Sequence, residues 1–371
     1  MSADSTMTNS ANTTDATNAT DATTTAPGLL PHTRHNTEAT SIAMRFFARA
    51  IGDRNPRHVN ESYRSETDAP GFMAHPCWLY SVQDTVIAAG HPERQTIIAR
   101  TNWQWHRPVV RGMKIHTVAR LLEEWRSTSR HAGEAIAQRV AVHYEDERGT
   151  PLARAVSTLL RVLPEDAVRQ GKHRDWQRWR YTDEQLSKIE AGYDAERVRG
   201  ALPRYCEDVA AGEALAGIVR GPISSEEIVL FMGATRPIPS MTAFARTLRD
   251  NPAHGFIHTR NDAWEDYQAG LVDDESARLL GFPAAHDSGL ERIAQAASLV
   301  TNWTGDTGRL VRLDARLVEP AMHGDTTWYS GHVTGVDAGQ GAVSLMIEGI
   351  NQRGVVNLTA AAEVVLPRRA A

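Results

Sequence analysis

The most informative stretch of the sequence is Gly52-Asp53-Arg54-Asn55-Pro56-Arg57-His58. It follows an apolar segment, residues 41–51, whose large side chains recur at helical spacing, so a short helix is predicted to end near Gly52. A turn should follow, because Asn55 can cap the local backbone and Pro56 fixes its own φ. An Asp and a His on one turn can share a water molecule, as hydration and dehydration require. By itself, an Asp-x-Asn-Pro turn is also a common helix terminator.

Length and composition restrict the class of protein. The chain has 371 residues, which favours about two domains. Its formal net charge of −5 shows no bias toward nucleic acid or anionic membranes. Cys77 and Cys206 are too few for a disulfide framework, which suits a reducing cytosol. Because the sequence has neither an apolar run long enough to cross a bilayer nor a signal-peptide pattern, we expect a cytoplasmic protein without membrane contacts.

The composition changes along the chain. Residues 1–36 are rich in Thr, Asn and Asp and have no apolar face, so a disordered tail is predicted there. Residues 37–164 and 201–371 are predicted to form two similar units, joined by a linker over residues 165–200 that becomes helical after Thr182. The linker contains basic residues interleaved with tryptophans, a pattern that nucleic-acid binders also show. Since the chain is acidic overall, we favour a solvated linker and expect no nucleic-acid partner.

An internal repeat relates the two units. Pro108 and Pro320 lie 320 − 108 = 212 residues apart, and Gly112 and Gly324 lie 324 − 112 = 212 residues apart. Each unit is predicted to contain an early helix, one long buried helix and several strands. The strands are expected over residues 95–105, 114–126, 134–145 and 151–163, and again over 309–318, 326–336, 342–350 and 355–366. Antiparallel strands after one helix, twice over, predict an α+β fold.

The two long helices are predicted to begin at equivalent points of the repeat. The first should run from Pro76 to Gly90, since an apolar stripe recurs at helical spacing between them. The second should begin near Ser288, which with Glu291 forms a candidate capping box.

The motif GDRNPRH resembles the hydratase signature A-x-G-D-x-N-P-x-H of the MaoC-like, (R)-specific enoyl-CoA hydratase family. Residues 69–75 resemble the segment that leads into the central helix of that family, and residues 200–205 and 285–289 resemble its two-copy bacterial acyl dehydratases. The resemblance covers nearly everything after residue 36. It implies a tandem double hotdog, in which two helix-wrapped antiparallel sheets form a pseudo-dimer and one half carries the chemistry.

The same resemblance implies a reaction and a site. The substrate would be an enoyl thioester of coenzyme A or of an acyl carrier protein, and no cofactor or metal is implied. Asp53 and His58 would be the catalytic pair, holding between them the water that is added across the C2–C3 double bond. Asn55 and Gly52 would set the turn and position the water. The candidate pocket residues are Phe72, Met73 and His75, and a homodimer is a possible assembly.

The start of the first long helix departs from the family pattern. Single-copy hydratases carry Ala-His-Gly there, and the glycine supplies a backbone N–H to the thioester oxygen. This chain has Ala74-His75-Pro76, and proline has no N–H. The resemblance therefore implies that the donors are the next backbone amides, those of Cys77 and Trp78, aided by the helix N-terminus.

Other functions stay open at the level of sequence. Cys77 at a helix start could be a nucleophilic thiol, although a small buried side chain is the simpler interpretation. A hotdog thioesterase would keep the fold and hydrolyse the thioester instead. A non-catalytic acyl-binding partner subunit is a further alternative, against which the intact Asp53 and His58 count.

The second unit lacks the catalytic turn, so one active site per chain is expected. Its long loop, residues 232–287, contains His254, His258 and Asp262 at a spacing that superficially suits a metal. Pro and Gly residues interrupt this segment, and we favour a loop that lines an acyl pocket. Asp306 is interpreted as a turn residue.

Overall fold

The computed structural model describes residues 28–29, 35–65, 70–87, 89–236 and 241–369. The predicted disordered tail, residues 1–36, lies outside these ranges apart from residues 35–36 and Gly28–Leu29. Gly28–Leu29 pair antiparallel with a later strand, and the disorder of the tail stays a prediction. Within the described ranges, no helix combines the length and apolarity needed to cross a membrane.

The helices are mostly short. They are α1 Ser41–Ala50, α2 Pro56–Val59, α3 Pro164–Gln170, α4 Asp183–Ala195, α5 Ser225–Thr235, α6 Met241–Asp250, α7 Asp274–Leu279 and α8 Gly289–Thr304. Single 3-10 turns or short 3-10 helices occur at Pro76–Ser81, Cys206–Asp208, Pro252–His254 and Tyr267–Leu271. The helix predicted before the Gly52 turn is confirmed as α1. The helix predicted in the linker is confirmed as α4, which ends at Ala195.

One large antiparallel sheet holds most of the strands. They are β1 Gly28–Leu29, β2 Gln95–Trp105, β3 Ile115–Ser129, β4 Gly133–Asp146, β5 Pro151–Val162, β6 Ala214–Arg220, β7 Gly255–Ile257, β8 Trp264–Asp266, β9 Arg309–Leu317, β10 Thr327–Asp337, β11 Ala342–Asn351 and β12 Val356–Val365. The order in the sheet is β1-β3-β4-β5-β2-β9-β12-β11-β10-β6, and β7 and β8 form a separate two-stranded sheet. The predicted strands of both units are confirmed, whereas the prediction misses β6, which pairs with β10.

The two halves of the sheet join edge to edge between β2 and β9. Asn102 pairs with Asp314 at the centre of this seam, and 314 − 102 = 212, the offset of the sequence repeat. On one side of this centre, Arg100 pairs with Arg316. When each of these two residues is replaced by its repeat mate in the other copy, the result is another pair of the seam, on the opposite side of the centre. A pseudo-two-fold axis therefore passes between Asn102 and Asp314. The predicted pseudo-dimer with joined sheets is confirmed, and the fold is a double hotdog.

The prediction of a long helix from Pro76 to Gly90 is wrong. The chain forms only the 3-10 helix Pro76–Ser81 and continues as an irregular segment. The Asp84 carboxylate contributes to this break, because it accepts a hydrogen bond of 2.8 Å from the Val86 backbone N–H. Such an Asx-type turn competes with helical hydrogen bonding. The first copy therefore has a much shorter central helix than the second.

The long buried helix predicted for the second copy is confirmed as α8. Its N-cap is Ser288 and the N-cap of the first-copy 3-10 helix is His75, so the equivalent positions lie 288 − 75 = 213 residues apart, one more than predicted. The predicted capping box is wrong, because the Ser288 side chain makes no capping hydrogen bond. Its expected partner, Glu291, is buried instead.

Candidate functional site

The turn after α1 brings Asp53 and His58 into direct contact. Gly52 adopts a φ of +69°, where a residue with a Cβ would be strained. Asn55 then caps α2, because its side-chain oxygen accepts a hydrogen bond of 3.1 Å from the Arg57 N–H. These two features turn the chain so that the His58 ring points back at the Asp53 carboxylate.

The Asp53–His58 pair is buried and tightly bonded. Asp53 Oδ2 lies 2.6 Å from His58 Nδ1, and Asp53 Oδ1 accepts the Asn55 N–H at 2.9 Å. Burial raises the pKa of Asp53, but the nearby charge of His58 and its hydrogen bond outweigh this effect and bring the pKa down to about 2. Asp53 is therefore an ionised carboxylate that orients the imidazole, and Nε2 has no hydrogen-bond partner within the described part of the chain. The two side chains touch directly, without the intervening water that the resemblance implies.

His75 supplies a second, neutral imidazole next to the pair. Its Nδ1 accepts the Cys77 N–H at 3.1 Å, so the ring proton resides on Nε2, which lies 3.3 Å from Ser298 Oγ on α8. Burial lowers the pKa of His75 to about 3, and the ring stays uncharged at neutral pH. The rings of His75 and His58 meet edge to face with centroids 5.2 Å apart.

A cavity of about 360 Å³ opens beside this group, and both copies form its walls. The first copy contributes His58, Asn55 and two of the three predicted pocket residues, Met73 and His75. The second copy contributes the end of α8, the loop that follows it and residues 365–367. The third predicted pocket residue, Phe72, packs against the hydrophobic core. The candidate site therefore lies between the copies, and His58 at its wall has a ring nitrogen, Nε2, that no other described residue binds.

The backbone amides of Cys77 and Trp78 are not available as oxyanion donors. The Cys77 N–H bonds to His75 Nδ1, and the Trp78 N–H bonds to the His75 carbonyl at 2.8 Å. Both residues are fully buried in the core. Burial also raises the pKa of the Cys77 thiol well above its usual range, which opposes the alternative of a nucleophilic thiolate.

The loop after α8 contributes two residues that the sequence analysis missed. Asp306, interpreted as a turn residue, is buried, and its carboxylate accepts hydrogen bonds from Tyr63 Oη at 2.7 Å and Ser65 Oγ at 3.0 Å. Its carbonyl accepts a hydrogen bond of 2.9 Å from Arg57. Thr307 lines the cavity, and its buried hydroxyl has no hydrogen-bond partner among the described residues. No local sequence signal marks them, since the Asp306 contacts span 241 to 249 residues.

A buried ion pair outside the first copy holds the end of α1. Arg220, the last residue of β6, makes hydrogen bonds of 2.9 and 3.1 Å with Glu196. Arg220 Nε lies 3.4 Å from the Ile51 carbonyl oxygen and packs on Gly52, whose ideal Cβ would be 3.1 Å away. Asn302 of α8 also donates to Glu196, at 3.0 Å. The second copy and the linker thereby position the turn that carries Asp53 and His58.

The histidines of the long second-copy loop do not assemble a metal site in the structure. His258 Nε2 lies 3.2 Å from Asp273, and the described ranges contain no group of three or more His, Cys, Asp or Glu residues arranged to hold an ion. His254 lines a second and larger cavity instead, together with other residues of this loop.

Comparison with known proteins agrees with this architecture. Residues 31–155 match the family model described as FAS1-like, dehydratase domain region. No curated protein matches the chain. A solved MaoC-like dehydratase is 16% identical with a TM-score of 0.64, over 92% of this chain and 98% of that one.

Two further solved structures show the same likeness. A MaoC-like dehydratase from Phytophthora capsici is 13% identical with a TM-score of 0.51, over 92% of this chain and 97% of that one. A MaoC domain protein dehydratase from Chloroflexus aurantiacus is 11% identical with a TM-score of 0.57, over 92% of this chain and 95% of that one. At low identity, the chain thus has the double hotdog fold of MaoC-like dehydratases, and its first copy matches a FAS1-like dehydratase region.

Proposed function

We propose that the chain adds water to trans-2-enoyl thioesters, or removes it from the corresponding (R)-3-hydroxyacyl thioesters. The observation that carries this proposal is the buried Asp53–His58 pair, with a 2.6 Å contact, at the wall of a cavity between two hotdog copies. The dehydratases with the same fold support the reaction class. The resemblance of the Gly52–His58 motif to the hydratase signature supports a thioester of coenzyme A or an acyl carrier protein as substrate.

The geometry supports proton transfer by His58 and a positioning role for Asp53. Both Asp53 oxygens already accept hydrogen bonds, whereas His58 Nε2, without a partner among the residues that the structure describes, is positioned to take a proton from a water in the cavity. As that proton leaves, the water oxygen bonds to C3, and the π electrons of the C2–C3 bond move onto the thioester oxygen as an enolate. His58 Nε2 then returns the proton to C2. Because one imidazole performs both transfers, water adds to a single face of the double bond.

The enolate oxygen needs a hydrogen-bond donor, and Thr307 is the candidate. Thr307 lines the cavity, and its buried hydroxyl has no hydrogen-bond partner in the part of the chain that the structure describes. Thr301 lines the same cavity, but its hydroxyl already donates to the Ser298 carbonyl at 3.1 Å. Thr307 therefore takes the role that the resemblance implies for the Cys77 and Trp78 amides.

The test is an assay of purified protein with trans-2-enoyl-CoA substrates of several chain lengths. Loss of the conjugated enoyl absorbance without release of free thiol is the expected result. Thiol release in step with substrate loss would instead show a thioesterase, which could use the same activated water. If a full chain-length series, also offered on an acyl carrier protein, shows neither change, the proposal fails.

A further inference from the structure

A second cavity, of about 680 Å³, occupies the place related to the candidate catalytic cavity by the pseudo-two-fold axis. Trp105 lines the catalytic cavity, and its repeat mate Leu317, at 317 − 105 = 212, lines the second one. Pro108 and Pro320 are related in the same way. The N-cap positions His75 and Ser288 complete the match, since each lines its own cavity. The second cavity is therefore the counterpart of the first, built by the exchanged copies.

The different lengths of the central helices explain why the second cavity is larger. The last turn of α8 supplies Thr301 and Thr304 to the catalytic cavity. The first copy has no such turn, because its 3-10 helix stops at Ser81, and the irregular segment with Gly90 and Pro92 lines the second cavity instead. A volume of about 680 Å³ lies within the range of small-molecule pockets, roughly 300–1,000 Å³.

Three uncharged imidazoles and a phenyl ring form one part of the wall. The centroid of the Phe282 ring lies 4.3 Å from that of the His131 ring and 4.1 Å from that of the His286 ring, and the His173 ring lies next to that of His131. Burial lowers the pKa of all three histidines, to about 4 for His173 and His286. His131 is 7% exposed, donates through Nε2 to the Leu280 carbonyl at 3.1 Å, and has no partner for Nδ1 among the described residues.

The rest of the wall combines aliphatic side chains with an excess of positive charge. Ile97 and Leu280 belong to a hydrophobic cluster around Phe282 that is separate from the main core. At the same end, Lys172 Nζ lies 2.6 Å and Arg130 lies 3.3 Å from the single carboxylate of Glu319. Two cations thus share one anion beside the imidazoles, so the ion pairs of the described residues leave this end of the cavity with a net positive charge.

We propose that this second cavity binds an aliphatic acyl chain with an anionic head group, without transforming it. The acyl chain would lie against the aliphatic wall, and the head group would lie near Lys172 and Arg130, which share the Glu319 carboxylate. The described ranges hold no acid–imidazole pair at this cavity equivalent to that of Asp53 and His58, so the ligand stays intact. A free carboxylate and the phosphates of a saturated acyl-CoA present the same chemistry to this site. The proposal does not depend on enoyl hydration in the other cavity.

The test uses isothermal titration calorimetry on the full chain in a Met73→Trp background, which narrows the catalytic cavity from one of its lining positions. Decanoate and decanoyl-CoA, titrated separately, distinguish the two sources of the head group. At least one of them is expected to bind with one equivalent per chain. If Met73→Trp, with an unchanged melting temperature, removes all binding of both ligands, binding belongs to the catalytic cavity and the proposal is wrong.

Two further substitutions in the same background locate the ligand. Ile97→Trp narrows the second cavity from a half-buried position, and it should weaken binding at least tenfold. Lys172→Glu reverses the charge at the proposed head-group position, and it should weaken anion binding at least tenfold while leaving decan-1-ol binding unchanged. The proposal would be overturned if both variants fold and bind the ligand with the affinity of the Met73→Trp background protein.

Discussion

At the scale of single residues, Asp53 and His58 are the proposed catalytic pair. Each is expected to be required, because the carboxylate orients the imidazole that transfers the proton, and such catalysis typically contributes about a hundred- to ten-thousand-fold in rate. Asp53→Asn and His58→Ala should each remove nearly all hydratase turnover. The double variant should be little worse than either single one, since the two act as a unit. Turnover and melting temperature measured on the same preparations check this, and normal turnover in a destabilised Asp53→Asn protein would reduce Asp53 to a turn cap.

Thr307 gives a sharper test of the proposed enolate donor. Thr307→Val should lower turnover by roughly a hundredfold with little change in KM, the usual cost of losing one oxyanion donor. Thr301→Val is the matched control, because Thr301 lines the same cavity but its hydroxyl already donates to a backbone carbonyl. Equal turnover losses in the two variants would contradict the assignment to Thr307.

The buried Asp53 carboxylate also makes stability depend on pH. Its pKa is about 2 in the folded chain and 3.8 ordinarily, so the folded state holds fewer protons in this range. Its contribution to the free energy of unfolding is therefore present above about pH 4 and lost as the pH falls toward about 2. The free energy of unfolding, measured with urea, should fall less between pH 5 and pH 2 for Asp53→Asn than for the wild type. Parallel curves would contradict the ionised, paired state of Asp53.

At the scale of secondary-structure elements, β6, α4 and α8 together hold the end of α1. Arg220→Met should destabilise the fold by about 3–5 kcal/mol, because it leaves the Glu196 carboxylate buried without its cation. The double variant Arg220→Met/Glu196→Gln removes that unpaired charge and should recover much of the stability. It should nevertheless keep a reduced turnover with little change in KM, since the catalytic turn has lost its support. Wild-type turnover in the recovered double variant would show that the ion pair does not position the turn.

The N-terminal part of α8 carries a buried acid with the opposite pH dependence. Burial, together with the nearby carboxyl groups of Glu227 and Asp287, raises the pKa of Glu291 well above its usual range. The folded state therefore holds an extra proton, so this contribution to stability is complete below the ordinary glutamate pKa and is lost as the pH rises through the raised value. As the pH rises from 5 to 9, the melting temperature should fall less steeply for Glu291→Gln than for the wild type. The same slope in both proteins would contradict this protonation state.

At the scale of the whole molecule, the continuous sheet makes the two copies depend on each other. Residues 1–200 expressed alone would expose the edge of β2, and residues 201–371 alone would expose the edge of β9. Each separated half should aggregate, and co-expression should restore a soluble pair held by the seam and its Arg100–Asp314 ion pair. Sedimentation of the halves, alone and together, measures this. A soluble, folded monomer of either half would contradict the prediction.

The sequence by itself determined the repeated strands, α1, α8 and the turn of residues 52–58. These features depend on neighbours in sequence: alternating burial marks strands, helical spacing marks helices, and Asn55 with Pro56 marks the turn. The first-copy helix was predicted too long, because the apolar stripe after Pro76 also suits an irregular buried segment, which Asp84 favours by capping the backbone at Val86.

Tertiary structure alone decided the opposite wall of the candidate site and the second cavity. Asp306 reaches Tyr63 across 243 residues, and Arg220 supports a turn 169 residues before it. The direct Asp53–His58 contact and the occupied amides of Cys77 and Trp78 likewise depend on how the chain packs. A single sequence specifies which segments bury an apolar face, but the partners of its polar groups are chosen only when distant segments meet, because each buried donor and acceptor must then be satisfied by whatever lies beside it.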